Sequence, residues 1–232
     1  MNNWLLLHGT PLTPSIWDGV IPLLARHGDV AAPAVVPGLG PVTGVQRALA
    51  RQVAEAAVGV DAPPPWHVVG HSFGGQVALE MAVQRPDLVA SLTLLCTRDT
   101  PYPSFAALAA DVLNGAVDVE GSLQRWFSPA ELTADGAVVR YARATIGAAD
   151  RRAWARALSA IAVFDVSAAI KAITCPVLVV GAEHDRVSDP PAMADMASRL
   201  GTVEFKVLED AWHMSIFCRP ARLAHLLGAV CS

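Results

Sequence analysis

The stretch His67-Val68-Val69-Gly70-His71-Ser72-Phe73-Gly74-Gly75, continuing with helical spacing to Arg85, decides how the chain is read. A short apolar run, then Gly-x-Ser-x-Gly, then helical periodicity gives the order strand, sharp turn, helix. A serine at the tip of such a turn takes strained backbone angles. The residues two before and two after it must then be glycine, so that neighbouring backbone can pass. The hydroxyl stands exposed at the carboxyl end of a strand, and the amide of Phe73 points into the same space from a helix N-terminus. Gly-x-Ser-x-Gly is common at random; the strand before it and the helix after it give it meaning.

Outward from this motif the same alternation repeats. Short apolar runs bounded by Gly and Pro lie at 4–7, 30–36, 67–69, 91–95, 176–180 and 203–208. Several are apolar at consecutive positions, as a strand covered on both faces requires. Helical spacing fills 16–26, 45–58, 74–85, 191–200 and 220–230, with Pro191 and Pro220 in first turns that tolerate proline. The expected fold is α/β: an open, mostly parallel sheet of about six strands with helices on both faces. From about Arg98 to Asp165 the rhythm breaks into Ala-rich helical patterns, such as 149–163, with no convincing strand. The chain therefore reads as one domain over 1–232, with its core from 1–97 and 166–232 and a helical lid at 98–165.

Composition agrees. With 53% hydrophobic and 16% charged residues and a mean hydropathy of +0.40, the chain is far from the disordered class. A net charge of −4, with cationic residues scattered and only Arg151-Arg152 adjacent, argues against nucleic acid as a partner. No apolar stretch approaches the ~20 residues that cross a bilayer. The N-terminus has no basic region and reaches His8-Gly9 after four apolar residues, so a cytoplasmic chain starting in a buried strand is expected. Cys96, Cys175, Cys218 and Cys231 show no ligand spacing and read as reduced structural thiols. Asp61-Ala62-Pro63-Pro64-Pro65 reads as a stiff turn leading into a strand.

A serine hydroxyl is a poor nucleophile near neutral pH and needs a base, itself oriented by an acid. Asp185 lies where the run from Pro176 opens into a loop, and His213 lies in Asp210-Ala211-Trp212-His213-Met214, after the run 203–208. Both belong to the sheet edge from which the serine projects, and the order Ser, Asp, His is one in which such triads occur. Asp99, after the run 91–95, is the alternative acid, and Glu183 a weaker one.

With these residues the chain resembles the α/β-hydrolases, in particular the small cofactor-free serine hydrolases that include carboxylesterases and enol-lactonases. The resemblance covers most of the chain outside the insertion. His8-Gly9-Thr10 resembles the family's first oxyanion loop, which implies that the backbone amides of Thr10 and Phe73 share the oxyanion role. Pro37-Gly38-Leu39-Gly40 resembles a turn after the next strand. The resemblance implies the strand order 4-3-5-6-7-8 in the family's own numbering, with the usual N-terminal hairpin missing. The Asp that often precedes the Pro-Gly-x-Gly turn is replaced by Val35 or Val36, and the Glu frequent after the histidine by Cys218, with Pro220 kept.

The implied activity is hydrolysis of a small or medium carboxylic ester, thioester or lactone through Ser72, His213 and Asp185. A small-molecule acyl substrate is the partner, and no metal or organic cofactor is expected. Trp17, Trp126, Phe127, Trp154 and Met214 are candidates for the substrate pocket; the competing reading of the insertion aromatics is simple core. Arg98, Arg125 and Arg140 are either carboxylate anchors or a solvated face. His71 reads as a packing and turn residue, His8 as a hydrogen-bonding brace of the oxyanion loop, and His184 as solvent-facing. A dinucleotide reading of the glycines from Gly38 to Gly44 fails because the third glycine falls one place late and Pro41 interrupts. Two other functions remain open: a lyase of the menaquinone-pathway type using the same triad as a base, and a non-catalytic ligand-binding protein. Nothing in the sequence sets an oligomeric state.

Overall fold

In a computed structural model, which describes residues 2–38, 40–58 and 63–229, the apolar runs become a six-stranded sheet in the order β2-β1-β3-β4-β5-β6, every neighbouring pair parallel. The strands are β1 (Trp4–Leu7), β2 (Val30–Ala31), β3 (Trp66–His71), β4 (Val89–Leu95), β5 (Val177–Ala182) and β6 (Val203–Leu208). This is the order the resemblance implies. β1 and β5 are buried at every position, whereas edge strand β6 is only partly buried. Continuous apolar runs make central strands because both faces are covered.

The helices outside the insertion are α1 (Ile21–Leu24), α2 (Val45–Val58), α3 (Phe73–Gln84), and, after the insertion, α9 (Pro190–Ser198) and α10 (Pro220–Ala229). α3 packs on β1, β3 and β4, with α2 against it, and α9 packs on β5 and β6. Between β4 and β5 run α4 (Phe105–Leu113), α5 (Val119–Trp126), α6 (Pro129–Ala134), α7 (Ala137–Ala148) and α8 (Arg151–Val163). No helix among the described residues is long and apolar enough to cross a membrane.

Two segments differ from the sequence reading. The run 30–36 pairs only at Val30 and Ala31, opposite Trp4 and Leu5. Pro33 has no N–H for a ladder, and the N–H of Val35 turns away to donate to His8 Nε2 at 2.9 Å. The expected helix over 16–26 splits into a 3-10 turn, Pro14–Trp17, and α1, because Pro22 fits a first turn but cannot continue a helix from before it. Likewise α8 begins at Arg151, since the Asp150 carboxylate caps it by accepting from the amides of Arg152 (2.8 Å) and Ala153 (3.1 Å). Leu39 of the Pro-Gly-x-Gly turn, Asp61 and Ala62 of the turn before β3, Val230 and Cys231 lie outside the described residues.

Candidate active site

Since all six strands run the same way, the segments following β1, β3, β4, β5 and β6 emerge on one edge, where ligands bind in open α/β sheets. Ser72 stands between β3 and α3 with φ 52° and ψ −118°, a strained conformation held by its surroundings. Its amide donates to Leu95 O (2.9 Å), and its carbonyl accepts from Gly75 N (2.9 Å) and Thr97 Oγ1 (2.7 Å). The flanking glycines are required by contact: a Cβ on Gly70 would lie 2.5 Å from Gly74 O, and one on Gly74 would run into the carbonyl oxygens of Leu7 and His8.

Asp185 and His213 meet on the same edge. Asp185 Oδ2 accepts from His213 Nδ1 at 2.8 Å, with both residues 3% exposed. The other carboxylate oxygen accepts from the amides of Val187 (2.7 Å) and Ser188 (3.0 Å), which fixes the plane of the group. With its proton on Nδ1, the imidazole leaves Nε2 as a base. His71, one residue before the serine, ties this pair to the turn: its Nε2 donates to His213 O (3.1 Å), and the two rings lie 4.8 Å apart. Among the described residues the Ser72 hydroxyl makes no hydrogen bond; such nucleophile–base pairs are often loose before substrate arrives.

The amides of Thr10 and Phe73 donate to nothing among the described residues, so both are available to an anionic oxygen. Gly9 lies close enough that a Cβ there would sit 3.0 Å from Ser72 Cβ, which sets Thr10 one residue from that contact.

The remaining polar candidates are spoken for. Asp99 is buried against Arg199 in a two-pronged ion pair, both contacts at 2.8 Å, so it is occupied away from His213. The position after β4 that does face the pair is Cys96, whose thiol lies within 4.8 Å of the Asp185 and His213 ligand atoms. Burial and the neighbouring carboxylate hold that thiol well above its ordinary range, so it stays an S–H group. His8 accepts at Nε2 from Val35 and donates from Nδ1 to Gly9 O (2.9 Å), leaving no nitrogen for proton transfer. His184 is half-exposed beside Glu183 and Asp210, its ring against Trp212.

His71 carries a pH prediction. Its Nδ1 is buried and has no hydrogen-bond partner among the described residues, and desolvation, followed by the nearby His213, holds the ring well below the usual histidine range. Burial lowers His8 as well. A ring whose pKa falls on folding binds fewer protons folded than unfolded, so the stability it allows is full above about pH 6.5 and is lost as pH drops below that value. Thermal unfolding midpoints are expected to fall steadily from pH 7 to pH 5. His71→Phe should flatten that slope, and an unchanged slope in the variant would remove the assignment.

Of the pocket candidates, Trp17 and Phe127 are 0% exposed, Met214 1% and Trp154 5%, and none of these four lines the cavity at Thr10 or the one at Ser72. Trp126, the fifth candidate, stays partly exposed, its ring 6.5 Å from that of His213. The cavity that reaches Thr10 measures about 440 Å³ and is lined instead by Pro11, Leu12, Val35 and the alanines Ala144, Ala148 and Ala153 of α7 and α8. Small side chains leave space, and a search for aromatics passes over them. Also missed was the contact of α6 with the histidine loop, for which Ser128-x-x-Glu131, a capping-box spacing, was the available sign.

The model of a family described as the alpha/beta hydrolase family matches residues 4–226. Pimeloyl-(acyl-carrier protein) methyl ester esterase from Methylococcus capsulatus is 29% identical over 241 residues, covering 96% of this chain and 92% of that protein. Two solved structures share the fold. A thermophilic esterase from Thermogutta terrifontis has a TM-score of 0.87 at 24% identity, over 99% of this chain and 89% of its own. The enol-lactonase from Burkholderia xenovorans LB400 has a TM-score of 0.89 at 19% identity, over 99% of this chain and 91% of its own.

Proposed function

The chain belongs to the alpha/beta hydrolase family and is a hydrolase acting on ester bonds, and from that premise we propose that it opens an uncharged, small or medium carboxylic ester through an acyl-enzyme on Ser72. One observation carries the reading: a buried His213–Asp185 pair at 2.8 Å, tied through His71 to a serine in a strained turn. His213 Nε2 takes the Ser72 proton as Oγ attacks the carbonyl carbon, and Asp185 holds the tautomer and stabilises the imidazolium. The tetrahedral oxygen takes the amides of Thr10 and Phe73, each such donor being worth about 2.7 to 4 kcal/mol. The C–O bond to the leaving alkoxide breaks as His213 returns the proton to it. Water, deprotonated by the same nitrogen, then releases the acid and restores Ser72. The free thiols of Cys96, Cys175 and Cys218 fit the cytoplasmic setting that belongs to this proposal.

The cavity at Thr10 supports the substrate class. Its lining is mostly apolar, and its one carboxylate, Asp150, is committed to capping α8. An alkyl or acyl chain fits that surface; a charged group would lose its hydration there. Ala153→Phe fills the space, so kcat/KM for a hexanoate ester should fall by roughly 10- to 100-fold while acetate changes by less than about 3-fold, one methylene in such a pocket being worth about 1–3 kcal/mol. An equal loss for both esters would place the chain elsewhere.

One observation keeps the lyase alternative in the test. Arg98 lines the small cavity at Ser72, and its guanidinium lies over Tyr102, 4.4 Å from the ring centre. Fluorophosphonate labelling with turnover of p-nitrophenyl esters supports the hydrolase. Labelling without turnover, alongside proton abstraction from a carboxylate-rich substrate, supports the lyase.

A further inference from the structure

The loop that carries His213 is held by the insertion as well as by the sheet. Met214 N donates to Trp126 O at 2.9 Å, at the end of α5. On the other side of the histidine, Trp212 N donates to Ser215 Oγ (2.9 Å), and the hydroxyl of that residue, 1% exposed, donates a hydrogen bond to Glu131 Oε2 (2.8 Å) on α6. Glu131 is fixed in turn: the same oxygen accepts from Ser128 N (2.9 Å), while Ser128 Oγ accepts from Glu131 N (3.1 Å). The carboxylate also reaches the Cys218 thiol, which burial first and Glu131 second push up to about 12.

We propose that Glu131 is a positioning residue for His213, acting through Ser215: the chain Trp212 N–H to Ser215 O–H to Glu131 carboxylate sets the backbone on which the base is carried. The proposal deepens the reading of His213 as the base and rests on it. Three features separate it from ordinary packing. The hydrogen bonds run in one direction and end on a charged acceptor, the stronger kind. The hydroxyl they pass through is buried, so water cannot replace either partner without rearrangement. The residue held, Trp212, directly precedes His213, and an error of about 1 Å at the base is worth about 100-fold in rate. The insertion thereby does more than cover the site: a shift of α6 moves the base relative to Ser72.

The test uses Glu131→Ala, Glu131→Gln, Ser215→Ala and the double variant Glu131→Ala/Ser215→Ala in the full chain, with p-nitrophenyl acetate, an ester too short to need the cavity at Thr10. Glu131→Ala and Ser215→Ala should each lower kcat by roughly 10- to 100-fold, with KM within about 2-fold, and slow fluorophosphonate labelling in parallel. Glu131→Gln keeps an acceptor for Ser215 and should recover to within about 3-fold of the parent. The double variant should lose no more than the worse single, as links of one chain do. A purely structural Glu131 would lower the unfolding midpoint and leave kcat per folded enzyme unchanged; that result, or strict additivity in the double variant, overturns the proposal. Ser72→Ala and His213→Ala run alongside: if either turns over ester at the parent rate, the reading of the site fails, and Glu131 is not what failed.

Discussion

Ser72→Ala is expected to abolish ester turnover, by on the order of 10⁶-fold in kcat, while the protein stays folded and still binds ester. In the proposed mechanism the hydroxyl oxygen forms the new bond, and the turn places no substitute near it: His8 has both nitrogens engaged, and Cys96 is buried as a thiol well above its ordinary range. Alanine fits the turn about as well as serine, because the strain at φ 52° belongs to the backbone and the serine side chain makes no hydrogen bond among the described residues. Circular dichroism and the unfolding midpoint should therefore match the parent. Any residual rate above the uncatalysed reaction would be assigned to the proposed oxyanion amides of Thr10 and Phe73, and rate close to the parent would remove Ser72 from the mechanism.

The second large effect is expected at Asp185. In Asp185→Asn the amide oxygen remains with the two donors that already fix it, Val187 N and Ser188 N, and so turns the NH₂ toward His213 Nδ1. That nitrogen must then accept, the proton moves to Nε2, and the tautomer is wrong for taking a proton from Ser72. A loss of about 10⁴-fold in kcat follows, with KM little changed. Asp99→Asn gives the opposite pattern. It leaves Arg199, which keeps its ion pair with Asp195, facing a neutral amide, which should cost about 1.5 to 3 kcal/mol of stability, and kcat should stay within about 2-fold. Measuring both variants for kcat and for unfolding separates the two acids; the reverse result would transfer the acid role to Asp99.

The difference between these two aspartates shows what the sequence could and could not carry. Both follow buried strands at the reactive edge, and position alone left either as the acid. What separates them in the structure is a partner 100 positions away in the chain, Arg199 for Asp99, and spacing does not encode that. The sheet was legible because consecutive apolar runs and glycine-bounded turns are local signals, and strand order followed from the family resemblance. Strand length at 30–36 was not, since hydropathy says nothing about a missing N–H at Pro33. The serine turn was legible down to its glycines, because steric need for a bare Cα is written in residue type. The cavity was not: emptiness is made by alanines on α7 and α8 meeting the loop after β1, a fact of packing between distant segments. Glu131 reaching Ser215 across 84 positions is invisible for the same reason.

The most direct measurement is a rapid-mixing burst with p-nitrophenyl acetate, quenched with acid and mapped by peptide mass spectrometry. The expected result is one acetyl group per active chain, carried on Ser72, formed faster than steady-state turnover and slowed by at least about 10³-fold in His213→Ala. Turnover with no acyl group on Ser72, or acylation of His213→Ala at the parent rate, would contradict it.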